Sequence, residues 1–258
     1  MLAGDKEERG SQLKNILIMA HTVLFWFLVT IYTLAFHASS YIIPLFIRNE
    51  DKKVLFHKKW ATLWGTLIVN CSFVRVKVSG LENIPTDTSV IFAPNHQSFF
   101  DIFILLKYLP EGYNFVIMRK LFDMPVIGHN ITKAGFLSLD RKDKKKSITM
   151  INHIIDLLKD GTSIMIFPEG KLTKDGSVGP FGRGTSMIIQ HSRKPVVPIA
   201  IDGDFDVMPK GSWKIKAGEV SMKIGKPVLF EKYYDEINKD TSMELAEELR
   251  SVVVNLKG

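Results

Sequence analysis

His96 and Asp101 stand five positions apart in the stretch Ser89-Val90-Ile91-Phe92-Ala93-Pro94-Asn95-His96-Gln97-Ser98-Phe99-Phe100-Asp101. Five positions turn about 140° on a regular helix, so the two side chains cannot share a helical face. They meet only if His96 sits ahead of a helix and folds back over its first turn. An aspartate there could hold one imidazole nitrogen, fix the tautomer and raise the basicity of the other nitrogen. The product would be a His–Asp general base with no serine or cysteine nucleophile beside it. Seven histidines and many aspartates also make one such spacing easy to meet by chance, and Asp101 could serve only as a helix cap. Spacing alone leaves both readings open.

The local pattern supplies the geometry the pair needs. The apolar run Val90 to Ala93 ends at Pro94, which has no N–H for a strand ladder. Ser98 with Asp101 three places on has the form of a capping box, leading into Ile102, Phe103, Leu105 and Leu106. The stretch therefore reads as strand, turn and helix start, with the histidine on the turn.

Further strands are predicted at Val74 to Val78, Phe115 to Met118, Gly135 to Arg141, Ser163 to Phe167 and Val196 to Ile201, where Pro198 argues for an edge or a bulge. Lys214 to Lys223 suggests a hairpin. Helices are predicted over Ile102 to Tyr108, through to Ile131 with breaks at Pro125 and Gly128, from Arg141 to a stop at Gly161, and from Gly182 to Gln190. A last helix is expected behind a Thr241–Glu244 capping box. This alternation predicts an α/β fold, a central mixed sheet flanked by helices. His96, Arg119, Asp140-Arg141 and Glu169 all fall just past predicted strand ends, which could bring them to one crevice.

Residues 1–14 are polar and mixed in charge, an expected mobile cap. Asn15 to Ile47 then contains no Asp, Glu, Lys or Arg. Its core, Ile16 to Phe36, is long enough to cross a hydrocarbon slab of about 30 Å, and too long for a signal peptide. Ser39, Ser40 and Pro44 would also allow it to enter and re-emerge on one side. From Phe56, the stripe Phe56, Trp60, Leu63, Trp64 and Leu67 fits a helix lying on a membrane surface or packed on the domain. Arg48, Lys52, Lys53, Lys58 and Lys59 place this end in the cytoplasm by the positive-inside rule. The expected division is 1–72, an anchoring segment (apolar 15–47, amphipathic 52–70), and 73–258, the catalytic domain. The 258 residues carry a net charge of +7, which suits an anionic partner. The single cysteine, Cys71, excludes an intrachain disulfide and cysteine-rich zinc sites.

Asn95-His96-Gln97-Ser98-Phe99-Phe100-Asp101 resembles the Asn-His-x4-Asp block of the glycerolipid acyltransferases. Gly135 to Arg141 looks like that family's second block, Phe167-Pro168-Glu169-Gly170 its third and Val197-Pro198-Ile199 its fourth, in the family's order over roughly Val74 to Ile201. The resemblance implies transfer of a fatty acyl group from acyl-CoA or acyl carrier protein to a lysophospholipid hydroxyl at an inner, cytoplasmic-side membrane. It implies no metal, no redox cofactor and no nucleic acid. His96 would be the base and Asp101 its orienting partner. Asn95, Ser98, Arg119, Lys120, Arg141, Glu169, Gly170 and Lys171 would bind substrate, with Glu169 on the acceptor's glycerol hydroxyls and Arg141 on its phosphate. Backbone N–H groups after His96 or near Gly170 would hold the oxyanion.

The third block departs from the family's pattern. The family usually continues Thr-Arg-Ser after the glycine, whereas Lys171-Leu172-Thr173 follows here. A lysine cannot reproduce the arginine fork, so a different lysolipid acceptor is an alternative to lysophosphatidic acid. A non-catalytic, membrane-anchored lipid-binding protein of the same fold is a second alternative.

Overall fold

The computed structural model describes residues 2–258, with side chains from Glu8 onward; Met1 lies outside the described residues. Seven strands form one sheet: β1 (Arg75–Ser79), β2 (Ile91–Pro94), β3 (Asn114–Met118), β4 (Leu137–Leu139), β5 (Ile164–Met165), β6 (Val196–Asp202) and β7 (Glu219–Ile224). Their order across the sheet is β1-β7-β6-β2-β5-β3-β4. Every neighbouring pair is parallel except β6 and β7. The fold is thus the expected mixed α/β sheet, and the parallel strands β2, β5, β3 and β4 bring their C-terminal ends to one edge. β2 and β6 are buried along almost their whole lengths, as continuous apolar runs at the centre of a covered sheet require.

Among the described residues, nine helices surround the sheet: α1 (Leu2–Ile42), α2 (Glu50–Cys71), α3 (Phe100–Tyr108), α4 (Arg119–Phe122), α5 (Ile127–Lys133), α6 (Lys144–Lys159), α7 (Arg183–Ser192), α8 (Asp204–Val207) and α9 (Lys239–Lys257). Two apolar clusters form the core. One joins Phe25 and Val29 of α1 and Ile68 of α2 to Phe92, Phe100 and Ile199. The other packs α6, α7 and α9, through Ile154, Ile188 and Leu245, on the opposite face.

The expected cap at 1–14 is helical from Leu2 on and continuous with the apolar run. Ser39 and Ser40 do not interrupt α1, because their hydroxyls donate back to the carbonyls of Phe36 and His37 and so satisfy themselves within the helix. Gly128 does not break a helix either. It lies buried in α5, where a Cβ would overlap the carbonyl of Phe122.

Pro198 sits in an internal strand, not an edge, but beside a bulge. Ile199 pairs with Ile224 while Val196 pairs with Val228, so the partner chain carries one residue more across that interval. The Pro198 carbonyl accepts from Gly225 N–H there. The expected hairpin at Lys214 to Lys223 is absent; only Glu219–Ile224 is strand, lying between β6 and β1. The last helix is capped by Asn238, with Thr241 as the reciprocal partner, because the Asn238 carboxamide reaches the N–H groups of Asp240 and Thr241.

Candidate active site

β2 delivers the chain to the turn at Asn95, and α3 starts at Phe100, so His96 lies ahead of the helix as the spacing required. His96 Nδ1 stands 2.9 Å from Asp101 Oδ2. The same oxygen accepts from the N–H groups of Gln97 at 2.8 Å and Ser98 at 3.1 Å. Asp101 is fully buried, and burial pushes its carboxyl up, against the imidazole and the two N–H groups that pull it down. The capping box is half formed: Asp101 reaches Ser98 N–H, but the Ser98 hydroxyl accepts from Phe100 N–H instead. The imidazole stacks on Phe167 at a centroid distance of 3.8 Å, and its side chain is only 13 % exposed. Nε2 has no hydrogen-bond partner among the described residues and is not sealed off.

His96 is held through its backbone as well as its ring. Its N–H donates to Glu169 Oε1 at 2.8 Å, and its carbonyl accepts from Thr173 N–H at 3.0 Å. The other oxygen of Glu169 accepts from Gly179 N–H at 2.8 Å. Burial raises the Glu169 carboxyl above the usual range, opposed by those two N–H groups. The strap Val178-Gly179 is fastened in turn to α9, where Arg250 donates to both carbonyls. A continuous run of contacts therefore links Arg250, Gly179, Glu169 and His96.

The structure reassigns several expected ligands. Both Glu169 oxygens are engaged by the backbone, so the carboxylate braces His96 where an acceptor contact was expected. Asn95 is fully buried and exchanges two bonds with the backbone of Ile201, pinning the end of β2 to β6. Ser98 is fully buried and donates to the carbonyl of Met208. Both side chains are thus engaged by backbone. Gly170 does permit a close approach, but to Arg141: at φ +63 a Cβ would overlap the guanidinium.

Arg141 donates to the Gly170 carbonyl at 2.7 Å, and burial lowers its pKa. It is thereby brought within two residues of the Glu169 brace. Lys171 is exposed beside it, and Leu172, at the position of the family's arginine, is buried. Arg119 and Lys120 lie at the same sheet edge on α4, exposed, with Arg119 paired to Asp123 and neither touching His96. The N–H groups of Gln97 and Ser98 are taken by Asp101, and that of Gly170 by the Phe167 carbonyl. An oxyanion would therefore need other donors than these three.

An apolar cavity of about 220 Å³ opens beside the turn. α2 lines it with Trp60, Ala61 and Trp64, α3 with Phe103 and α5 with Ile131, joined by Phe99 and Phe136 and by residues of α1, α4 and β3. Sequence reasoning left this lining unassigned, because it gathers residues from six separate elements. The Phe167 stack and the Arg250 tie were likewise missed. Only the aromatic preceding Pro168-Glu169 hinted at the first. No cluster of three or more His, Cys, Asp or Glu side chains able to hold a metal occurs among the described residues.

Residues 75–202 match the sequence model of the acyltransferase family. A chloroplastic 1-acyl-sn-glycerol-3-phosphate acyltransferase of Brassica napus is 38% identical over 186 residues, 71% of this chain and 53% of that protein. A 1-acyl-sn-glycerol-3-phosphate acyltransferase of Pseudomonas aeruginosa is 29% identical over 207 residues, 79% of each chain. The chain thus spans about half the length of the plant relatives it matches. The crystal structure of a 1-acyl-sn-glycerophosphate acyltransferase from Thermotoga maritima superposes with a TM-score of 0.78 at 27% identity, covering 95% of this chain and 98% of that one.

Proposed function

Because the chain belongs to the acyltransferase family through residues 75–202, we propose that it moves a fatty acyl group from an acyl thioester to the free hydroxyl of lysophosphatidic acid, giving phosphatidic acid. The observation that carries this reading is the 2.9 Å contact between His96 Nδ1 and Asp101 Oδ2, with Nε2 left free. Asp101 keeps the proton on Nδ1, so Nε2 is the basic nitrogen. Nε2 takes the acceptor hydroxyl's proton as that oxygen attacks the thioester carbonyl carbon. The tetrahedral intermediate collapses with loss of the thiolate, which recovers the proton from the imidazolium. No bond forms between the acyl group and the protein. Phe167 holds the ring plane by stacking, and Glu169 fixes the backbone beneath it. The cavity lined by Phe99 and Phe103 takes the acyl tail. Arg141 and Lys171 take the acceptor's phosphate, Arg141 with the guanidinium edge that Gly170 does not occupy.

A product with two acyl chains must leave into a bilayer, and α1 supplies the contact. It is long and apolar enough to cross a membrane, but Thr22, Phe25, Val29 and Ser40 pack it against the protein along one side. The charge-free stretch begins at Asn15, so only about two helical turns precede the first packed residue. The helix therefore lies in one leaflet with Leu17, Val23, Phe27, Ile31 and Leu34 outward, all exposed. Residues 1–72 then differ from 73–258 in role while sharing one core. The lysines and arginine at 48–59 keep this face toward the cytoplasm.

A different lysolipid acceptor is the second reading, favoured by buried Leu172 at the arginine position. The test follows thioester loss by the membrane-bound protein with acyl-CoA, then with acyl carrier protein, against a panel of lysolipids. Turnover with lysophosphatidic acid should fall about 10²- to 10⁴-fold in His96→Ala. Turnover only with another lysolipid selects the second reading. Undiminished turnover in His96→Ala would remove the general base.

A further inference from the structure

The segment Lys210-Gly211-Ser212-Trp213-Lys214-Ile215-Lys216 has no strand partner, and its Lys210 Nζ donates to the Leu172 carbonyl at 3.4 Å. We propose that it is a second membrane foot, which seats on anionic lipid headgroups beside α1. This rests on the membrane reading of α1 and goes beyond it by assigning a separate contact and a lipid charge.

Three observations point the same way. The segment is bolted to α1: Trp26 Nε1 donates to the Trp213 carbonyl at 2.7 Å, and the Thr22 hydroxyl, which donates to the Ile18 carbonyl, accepts from the Ile215 N–H at 3.3 Å. Ile215 is fully buried, yet Trp213 is 51% exposed, with no partner for its own indole N–H among the described residues. An exposed indole with a free N–H suits the interfacial layer of a bilayer.

The α1 residues that follow its two tie points, Val23 after Thr22 and Phe27 after Trp26, are 58% and 60% exposed. The charge is complementary as well: Lys214 and Lys216 are exposed and make no ion pair among the described residues. Lysines at this level attract anionic headgroups.

The foot is also tied to the chemistry. Its segment follows Met208, whose carbonyl accepts the Ser98 hydroxyl at 2.7 Å on the turn that carries His96. Seating it would set the height of that turn over the membrane.

The test reconstitutes the full chain in vesicles of phosphatidylcholine brominated near the headgroup, with and without phosphatidylglycerol. The chain has four tryptophans, so the difference between wild type and Trp213→Phe isolates the Trp213 emission. That emission should be quenched and blue-shifted, more so with phosphatidylglycerol. In mixed micelles, Lys214→Ala and Lys216→Ala should each cut the affinity gained from phosphatidylglycerol about fivefold, with kcat unchanged. If none of the tryptophans is quenched, the membrane reading itself fails. Quenching of the others with Trp213 unaffected would overturn the foot alone. Lysine variants that leave the lipid response intact but raise KM for an acyl carrier protein thioester would overturn it in favour of an acidic protein.

Discussion

The sheet edge around His96 and the α1–α2 layer are held by different forces. At the edge, side chains are spent on backbone: Asp101 on Gln97 and Ser98, Glu169 on His96 and Gly179, Asn95 on Ile201, Arg250 on Val178 and Gly179. In the helical layer, contact is mostly apolar, with two indole bonds, from Trp60 to Ser39 and from Trp64 to Thr33. Among the described residues, buried atoms without a partner occur in both regions, His37 Nδ1 in α1 and Asp101 Oδ1 and Gln97 Oε1 at the edge. Directional bonds to backbone fix a histidine to fractions of an ångström, which proton transfer needs. Apolar contact tolerates sliding, which would suit the acyl-chain and lipid contacts proposed for this layer. If this contrast is right, equal chemical insults should have unequal consequences in the two regions.

The largest effect is expected at Glu169. Glu169→Ala leaves the N–H groups of His96 and Gly179 without acceptors, each worth about 1–3 kcal/mol. We expect a loss of stability of a few kcal/mol by this count and a fall in kcat well beyond any rise in KM. Glu169→Gln keeps one acceptor oxygen and should recover part of both. The pH dependence gives an independent sign. Burial holds this carboxyl above its ordinary value of 4.5, so the folded state binds the proton more tightly than the unfolded chain. That contribution to stability is present below 4.5 and is lost as pH rises through the folded value. Urea titrations across that window should show a slope in wild type that Glu169→Gln lacks. Parallel slopes would mean that the brace carries no such charge penalty.

The two regions were also unequally legible in the sequence. The β2–turn–α3 unit is written locally: Pro94 ends the run, and Asp101 lies within one turn of the backbone it holds. The brace was not legible, since Glu169 meets Gly179 ten residues on through a backbone donor, and Arg250 arrives from α9, 71 residues beyond Gly179. Nothing in a residue's type announces a backbone partner. Asn95 and Ser98 misled for the same reason, because polar side chains on a turn look like ligands until their bonds to Ile201 and Met208 are seen. The hairpin at 214–223 failed because β7 finds its partners in β1 and β6, while Trp213 and Ile215 are claimed by α1. The stripe expected on α2 is half-buried or exposed throughout, and the helix buries His57, Gly65, Ile68 and Val69 instead. Its tryptophans, however, turn toward α1 and only half face outward.

An intermediate effect is expected where the regions meet, at the cavity. Ala61 projects into it from α2. Ala61→Phe would fill part of its 220 Å³ without touching the polar edge. Turnover of long-chain thioesters should fall about tenfold while short-chain thioesters keep their rate, since one to a few methylenes in an apolar pocket are worth about 10- to 200-fold. Equal loss at all chain lengths would show that the substitution disturbs the turn, and that the cavity is not a separate compartment.

The smallest effect should come from the helical layer's own hydrogen bonds. Trp60→Phe keeps an aromatic ring against Phe36 and Phe56 and removes only the indole N–H that donates to Ser39 Oγ at 2.6 Å. Ser39 is not stranded by the change, because its hydroxyl still donates to the Phe36 carbonyl. The cost should therefore stay near the net value of one neutral hydrogen bond, about 0.5–1.5 kcal/mol, and thermal unfolding in detergent would measure it. Turnover of short-chain thioesters should be unchanged, because Trp60 borders only the acyl cavity and no run of directional bonds among the described residues leads from it to His96. A fall in kcat comparable with that of Glu169→Gln would break the comparison at its root. It would mean that α1 and α2 position the histidine as tightly as the brace does, through packing alone.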